Sequence, residues 1–323
     1  MCTAINKQIN NNHYFGRNLD LNYPFKESII VVHSHHPLNF KKVPSLLTHH
    51  TIYGIGIVKD NYPFYFDCSN EYGLSFAGLN FPGNAYFYPV DENKINIAPY
   101  ELPLYLLGKY KTVKEVKEAL KNINICDIPY SKDLPLSTLH YIISDYEQSI
   151  VIEQTKEKMN IYDNPFNVLT NNPPFIYHSL NVNNYMSLTN KEPVNRFSKD
   201  LNLFNYGKAM GAIGLPGDSS PASRFIKATF LLHNIRFNND DDFNISQMLH
   251  ILNNVSTLKG ECVLDDNSEE YTVYSSMYNL NKKELFIRSY EQGSIYRYKL
   301  NNSINDDLLE TIEINHEIKF IDL

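Results

Sequence analysis

Short runs rich in β-branched and aromatic residues recur through the first half of the chain: Ser28 to Val32, Thr51 to Val58, Tyr62 to Asp67, Leu74 to Leu79, Thr138 to Ser144 and Ser149 to Glu153. Polar punctuation, such as Asp60-Asn61 and Glu71-Tyr72-Gly73, separates them as antiparallel hairpins require. The pattern returns near the end in "YTVYSSMYNL", "ELFIRSYE" and "SIYRYKL", spaced like a meander.

Helical periodicity appears between these strand-rich blocks. In "TVKEVKEALKN", Thr112 stands where an N-cap belongs, and Val113, Val116 and Leu120 fall on one face. A second region reads as two helices, with apolar residues from Phe225 to Leu232 and from Ile245 to Val255, joined by the polar loop "RFNNDDDFN". Sheets with helices gathered between them predict an α+β fold rather than a βαβ series. There is no internal repeat, linker or low-complexity segment, so residues 2–323 read as a single domain.

Composition narrows the function classes. With 323 residues, 43% of them hydrophobic, the chain is long enough to bury a sizeable core without staples. A net charge of −7 supplies no basic field for nucleic acid or an anionic membrane surface. No apolar run approaches the roughly 20 residues of a spanning helix, and no secretory leader is visible, so a cytoplasmic protein is expected. Cys2, Cys68, Cys126 and Cys262 are far apart and unpaired in sequence, which fits reduced thiols.

The chain opens "MCTAIN", and the small residue at position 2 permits removal of Met1. Cys2 would then carry a thiol and a free α-amine whose unperturbed pKa is about 7.7 to 8.0, which makes nucleophile and base available on one residue. In "YFGRNLDLNY", Arg17 and Asp20 stand just after a predicted first strand. A carboxylate there can hold a terminal amine, and a guanidinium can stabilise a thiolate; an ordinary exposed ion pair is the other reading. Asn80 and Asn171 end apolar strands, where turn-forming asparagines are common, and Arg224 opens a helix.

Taken in order, "MCT", "FGRNLDL", "NEYGL", "AGLNFPG", "SIVIEQTKEK", "VLTNNP", "GLPGDSSPASRF" and "LHILNNV" resemble the choloylglycine hydrolase family of N-terminal-nucleophile hydrolases, over residues 2 to 290 at least. That family contains conjugated bile acid hydrolases and penicillin V acylases. The resemblance implies a four-layer αββα sandwich, a homotetramer, and no cofactor or metal. It makes Cys2 the nucleophile, with Arg17, Asp20 and Arg224 organising thiolate and amine, and Asn80 and Asn171 at the oxyanion hole. Sulfur would attack the amide carbonyl, the α-amine would protonate the leaving nitrogen, and water would release the acid from a thioester.

Asn80 stands where penicillin acylases tend to have Tyr, so glycine- or taurine-conjugated bile salts are the expected substrates. A penicillin V acylase and a silent amphiphile-binding protein are the alternatives. Aromatic loops near residues 23 to 25, 62 to 66 and 130 are candidates for an apolar substrate wall, or for packing on their own domain. Ser219 and Tyr141 depart from the family pattern, which usually has an aromatic residue and Trp there.

Other motifs point elsewhere. His33, His35, His36, His49 and His50 cluster as metal ligands can, but a solvated loop is the expectation and no metal is assigned. "GIGIV" at Gly54 to Val58 lacks the rest of a dinucleotide fingerprint and reads as a strand with close backbone approach. Asp240 to Asp242 lack calcium-loop spacing and read as solvated charge. Cys68 is the rival nucleophile should Met1 be retained.

Overall fold

"CTAINKQI" and "NHYFGRNLDL" are buried along most of their length and pair antiparallel as β1 (Cys2–Ile9) and β2 (Asn12–Leu21). Asn10, at φ 53°, takes the left-handed conformation of the tight turn between them. The computed structural model describes residues 1–291, 293–301 and 308–318.

The chain continues through β3 (Ser28–Val32), β4 (Ile52–Lys59), β5 (Tyr62–Asn70), β6 (Ser75–Asn80), β7 (Ile95–Ile97), α1 (Leu102–Lys109), α2 (Val113–Leu120) and β8 (Ile123–Ile125). Next come β9 (Leu139–Ser144), β10 (Ser149–Gln154), β11 (Met159–Asp163), β12 (Val168–Leu169), α3 (Phe175–Asn181), α4 (Pro221–Asn234) and α5 (Asp241–Asn253). The last elements are β13 (Cys262–Val263), β14 (Glu269–Asn279), β15 (Glu284–Ser289), β16 (Tyr296–Lys299) and β17 (Leu309–Glu313).

Two antiparallel sheets result. The first runs β12-β1-β2-β14-β15-β16, with β13 added to β14; the second runs β11-β10-β9-β6-β5-β4-β3-β17. Phe15, Tyr274 and Tyr278 of the first sheet share one buried cluster with Tyr53, Leu79 and Ile142 of the second. Helices α4 and α5 join that cluster on the first sheet, while α1 and α2 pack with Ile30, Phe76 and Ile143 on the second. The arrangement is the expected α+β fold with αββα layering.

Most predicted strands agree with the observed ones to within a few residues, and the differences have physical causes. Arg17 and Asp20 lie inside β2, not after the first strand. A strand carrying such residues reads as a loop in sequence, yet their side chains are buried and hydrogen-bonded between the sheets. Helix α1 gave no periodic signal because Leu102 to Gly108 are all buried, leaving no polar face. Polar Asp241 to Asn244, predicted as loop, form the first turn of α5, with Asp240 capping the amides of Asp242 and Phe243. Thr112 caps α2 as predicted, in a reciprocal box with Glu115. A Cβ on Gly54 would lie 2.3 Å from the Asp67 carbonyl oxygen, which is the close approach expected of "GIGIV".

Candidate active site

The β1–β2 register sets Cys2 opposite Leu19 and Ala4 opposite Arg17. Cys2 and Arg17 therefore project from the same face of the hairpin, toward the second sheet. Fully buried Arg17 spans the gap between sheets: Nη1 donates to the carbonyls of Phe66 and Gly78, each at 2.9 Å, and Nη2 to Cys2 Sγ at 2.7 Å. Burial works to lower the Arg17 pKa, but Cys2, Tyr274, Asp67 and Asp20 together hold it above the ordinary value. A permanent cation beside the sulfur is the setting that favours a thiolate.

Behind Arg17 lies a buried acid that sequence reading missed. Asp67 accepts hydrogen bonds from Tyr274, from Tyr278 at 2.7 Å and from Ser276 at 2.9 Å. Burial raises its pKa, against the pull of Arg17 and the three hydroxyls. Its ligands come from β14, more than 200 positions away in sequence, so no local motif marks it.

Arg224, in the first turn of α4, completes the other side. Its Nη1 donates to the Cys2 carbonyl at 2.5 Å and to Thr3 Oγ1 at 2.6 Å, its Nη2 to Asn171 Oδ1 at 2.8 Å, and its Nε to the Ser219 carbonyl at 2.9 Å. Asn171 Oδ1 also accepts from Cys2 N at 2.7 Å, which forces its Nδ2 to face the other way, toward the Asn80 carbonyl at 2.8 Å. One Nδ2 proton remains available beside Asn80, whose own amide group lies at the exposed end of β6.

In this chain Met1 still precedes Cys2, so Cys2 N is a peptide nitrogen standing where the α-amine of a processed chain would be. Asp20 N donates to the Met1 carbonyl at 3.1 Å. Asp20 Oδ1 accepts from Thr272 at 2.6 Å, while its buried Oδ2 has no hydrogen-bond partner among the described residues. The Met1 α-ammonium pairs with the Glu270 carboxylate, and burial lowers its pKa. The structure thus brings together Cys2, Arg17, Asp20, Asn80, Asn171 and Arg224, all six of the residues singled out in the sequence.

A second layer holds the asparagines. His140, fully buried, places Nε2 2.8 Å from the Thr170 carbonyl and Nδ1 3.1 Å from Glu153 Oε1, and its ring stacks on Phe81 with centroids 4.2 Å apart. His178 Nε2 lies 3.0 Å from the Asn171 carbonyl, while Glu153 Oε1 also accepts from Phe175 N at 2.8 Å. One network therefore grips the neighbours of both Asn80 and Asn171. Lone histidines at these positions carry no recognisable spacing, so sequence reading passed over them.

The cluster opens onto a cavity of 310 Å³ whose polar end holds Cys2, Arg17, Asp20, Asn80 and Glu270. Its walls are largely apolar and include Phe25, Phe64, Phe66, Tyr100, Tyr130 and Tyr141. Residues from all three predicted aromatic stretches line it, Phe64 and Phe66 from strand β5 rather than from a loop, and so does the departure Tyr141. Ser219, the other departure, lends its carbonyl to Arg224.

The remaining signals resolve locally. Cys68 is fully buried and burial drives its thiol pKa well above the ordinary value, which disqualifies it as a rival nucleophile. His36 and His49 are buried rather than solvated, because His49 uses both ring nitrogens against the carbonyls of His36 and His50; His33 meets Glu310. Asp241 is not free solvated charge either: it accepts from Asn12 at 2.6 Å and pairs with Lys282 at 2.7 Å.

A buried cysteine near the chain start, its sulfur held by Arg17 and its carbonyl by Arg224 between two antiparallel sheets, fits an amide hydrolase of the N-terminal-nucleophile fold. Residues 2–313 match the family described as linear amide C–N hydrolases, choloylglycine hydrolase family. The chain is 43% identical to the bile salt hydrolase/transferase of Lactiplantibacillus plantarum, over 97% of this chain and 95% of the relative. It superposes on a crystal structure of a variant conjugated bile acid hydrolase from Clostridium perfringens with TM-score 0.88 and 36% identity, covering 100% of each chain. A penicillin V acylase from Agrobacterium tumefaciens shares the fold at TM-score 0.74 and 17% identity, covering 93% of this chain and 86% of that one. The protein belongs to the choloylglycine hydrolase family, and is an enzyme that hydrolyses linear amides.

Proposed function

We propose that this enzyme cleaves the amide bond of glycine- or taurine-conjugated bile salts, releasing the bile acid and the amino acid, with Cys2 as nucleophile once Met1 is removed. The observation that carries the reading is the pairing of Arg17 Nη2 with Cys2 Sγ at 2.7 Å, at the polar end of a cavity walled by aromatic rings. A steroid body suits those walls, and the scissile amide then meets the sulfur.

The contacts support the following steps. The neutral α-amine of Cys2 takes the thiol proton, and Arg17 stabilises the resulting thiolate. Sulfur attacks the carbonyl carbon, and the oxyanion accepts hydrogen bonds from Asn171 Nδ2 and Asn80. Two preorganised donors aimed at developing charge lower such a barrier by several kcal/mol, roughly 3 to 4 for each donor. The protonated amine, held by Asp20 and Asn171 Oδ1, passes its proton to the leaving nitrogen and the C–N bond breaks. Water, deprotonated by the same amine, then attacks the thioester. Arg224 keeps the Asn171 side chain in the orientation that both halves require.

The thioester can also pass its acyl group to an amine in place of water, a reading in keeping with the name of the L. plantarum relative, bile salt hydrolase/transferase. Residues 2–323 form one catalytic unit in this reading, working in the cytoplasm as a homo-oligomer, with a tetramer suggested by resemblance. Met186, Phe197, Phe204 and Tyr206 are each about four-fifths exposed on one long segment, apolar side chains of the kind that assembly covers. Light scattering of the purified chain tests the assembly.

The functional test compares glycocholate and penicillin V as substrates, following released glycine and phenoxyacetate. Faster turnover of glycocholate is expected. Turnover of penicillin V alone would replace the substrate and leave the mechanism, and turnover of neither would favour a binding protein.

A further inference from the structure

Glu270 is a carboxylate that the hydrolytic steps do not use. It lies at the start of β14 and lines the same cavity as Cys2, Asp20 and Asn80, with its side chain only 15% exposed. Its cationic partner is the α-ammonium of Met1, which also donates to the Asp20 carbonyl at 3.3 Å. Among the described residues no lysine, arginine or histidine pairs with it.

Removing Met1 takes that ammonium away and leaves its two acceptors, the Glu270 carboxylate and the Asp20 carbonyl, facing the cavity one residue from the nucleophile. The newly exposed amine of Cys2 does not need them, because Asn171 Oδ1 already lies 2.7 Å from Cys2 N and buried Asp20 Oδ2 is unpartnered among the described residues. The two nearby cations are equally committed, Arg17 to sulfur and backbone carbonyls, Arg224 to Asn171 and Cys2.

We propose that Glu270 and the Asp20 carbonyl form a subsite for the ammonium group of a free α-amino acid, which enters as the acyl acceptor at the Cys2 thioester. The place is matched to such a ligand in charge, since what pairs with Glu270 before processing is the α-ammonium of an amino-acid residue. In the transfer, Glu270 and the Asp20 carbonyl hold the ammonium, and one of its protons passes to the neutral α-amine of Cys2, the reverse of the step that protonates the leaving nitrogen in hydrolysis. The acceptor's amine, now neutral, attacks the thioester carbon, so the C–N bond forms and the C–S bond breaks. The departing sulfur receives the second proton, and one stays on the new amide nitrogen. This inference rests on the Cys2 thioester proposed above.

The test supplies a taurine-conjugated bile salt as donor and either glycine or hydroxylamine as acceptor, and measures the ratio of transfer to hydrolysis by mass spectrometry. Hydroxylamine is uncharged near neutral pH and makes no demand on a carboxylate. Glu270→Gln is expected to lower the glycine ratio about tenfold, the value of one charge-assisted hydrogen bond, and to leave the hydroxylamine ratio unchanged. Glu270→Asp keeps the charge and is expected to retain most of the glycine ratio.

Being a ratio taken at one intermediate, the readout is insensitive to how fast the thioester forms. Glycine and hydroxylamine ratios that are unchanged, or that fall together, overturn the inference, as does a wild-type enzyme that hydrolyses the donor without transferring to glycine. Absence of any thioester on wild-type Cys2 would instead defeat the underlying mechanism, and the subsite with it.

Discussion

Replacing His140 by Phe keeps a ring against Phe81 and deletes two polar contacts, to the Thr170 carbonyl at 2.8 Å and to Glu153 Oε1 at 3.1 Å. The orphaned carbonyl costs about 1–3 kcal/mol. Glu153 Oε1 loses one of its two hydrogen-bond partners and keeps the Phe175 amide, which costs about 1–3 kcal/mol more. Adding Glu153→Gln keeps an acceptor for the Phe175 amide and replaces the buried carboxyl by a neutral amide, so the double variant is expected to recover part of that loss.

Catalysis is expected to fall in both variants, because the network fixes the backbone on either side of the oxyanion donors. Deleting a donor outright lowers kcat by about 10²–10³, so displacing one is expected to lower it by about 10–100-fold. The assay pairs kcat for a conjugated bile salt with the rate at which iodoacetamide alkylates Cys2. Alkylation needs the thiolate but no oxyanion hole, so its rate should change by less than about twofold. A kcat that does not move, or an alkylation rate that falls in step with it, would refute the positioning role.

Three further outcomes are expected. Burial lowers the pKa of the Met1 α-ammonium while Asp20 acts to raise it; the same carboxylate should raise that of the exposed Cys2 amine. Asp20→Asn should then lower the amine pKa and move the acid limb of kcat/KM to lower pH, as a pH–rate profile will show. Burial holds His13 at a pKa of about 3, far below the ordinary 6.5 of an imidazole, so the unfolded chain binds its proton first and stability is lost as pH falls from 6.5 toward 3. Urea unfolding at pH 7 and pH 4.5 should show His13→Gln losing about 3 kcal/mol less than the wild type over that interval. Tyr130→Ala removes part of the aromatic wall and should raise KM for bile salts about tenfold with a smaller change in kcat, as expected for lost apolar contact.

What could be read in the sequence follows from where the interactions lie. Strands that alternate with turn residues, and helices such as α2 with a cap and one apolar face, carry their signal locally. Helix α1 and the polar interior of β2 do not, because burial on all sides removes the contrast that periodicity depends on. Cys2, Arg17, Asp20, Asn80, Asn171 and Arg224 each sit in a short motif that the family resemblance could reach. Asp67, His140 and Glu270 do not, and Glu153, although it lies within "SIVIEQTKEK", shows no role there, since what each one touches becomes visible only when the strands are paired and the sheets stacked.

The central claim is that an N-terminal cysteine is both nucleophile and proton carrier. The most direct measurement is intact-mass and peptide mass spectrometry of the enzyme, quenched in acid during turnover of a conjugated bile salt. The account predicts a chain lacking Met1 and carrying the bile acyl group as a thioester on Cys2. An active chain that retains Met1, or an acyl group found on any other residue, would contradict it.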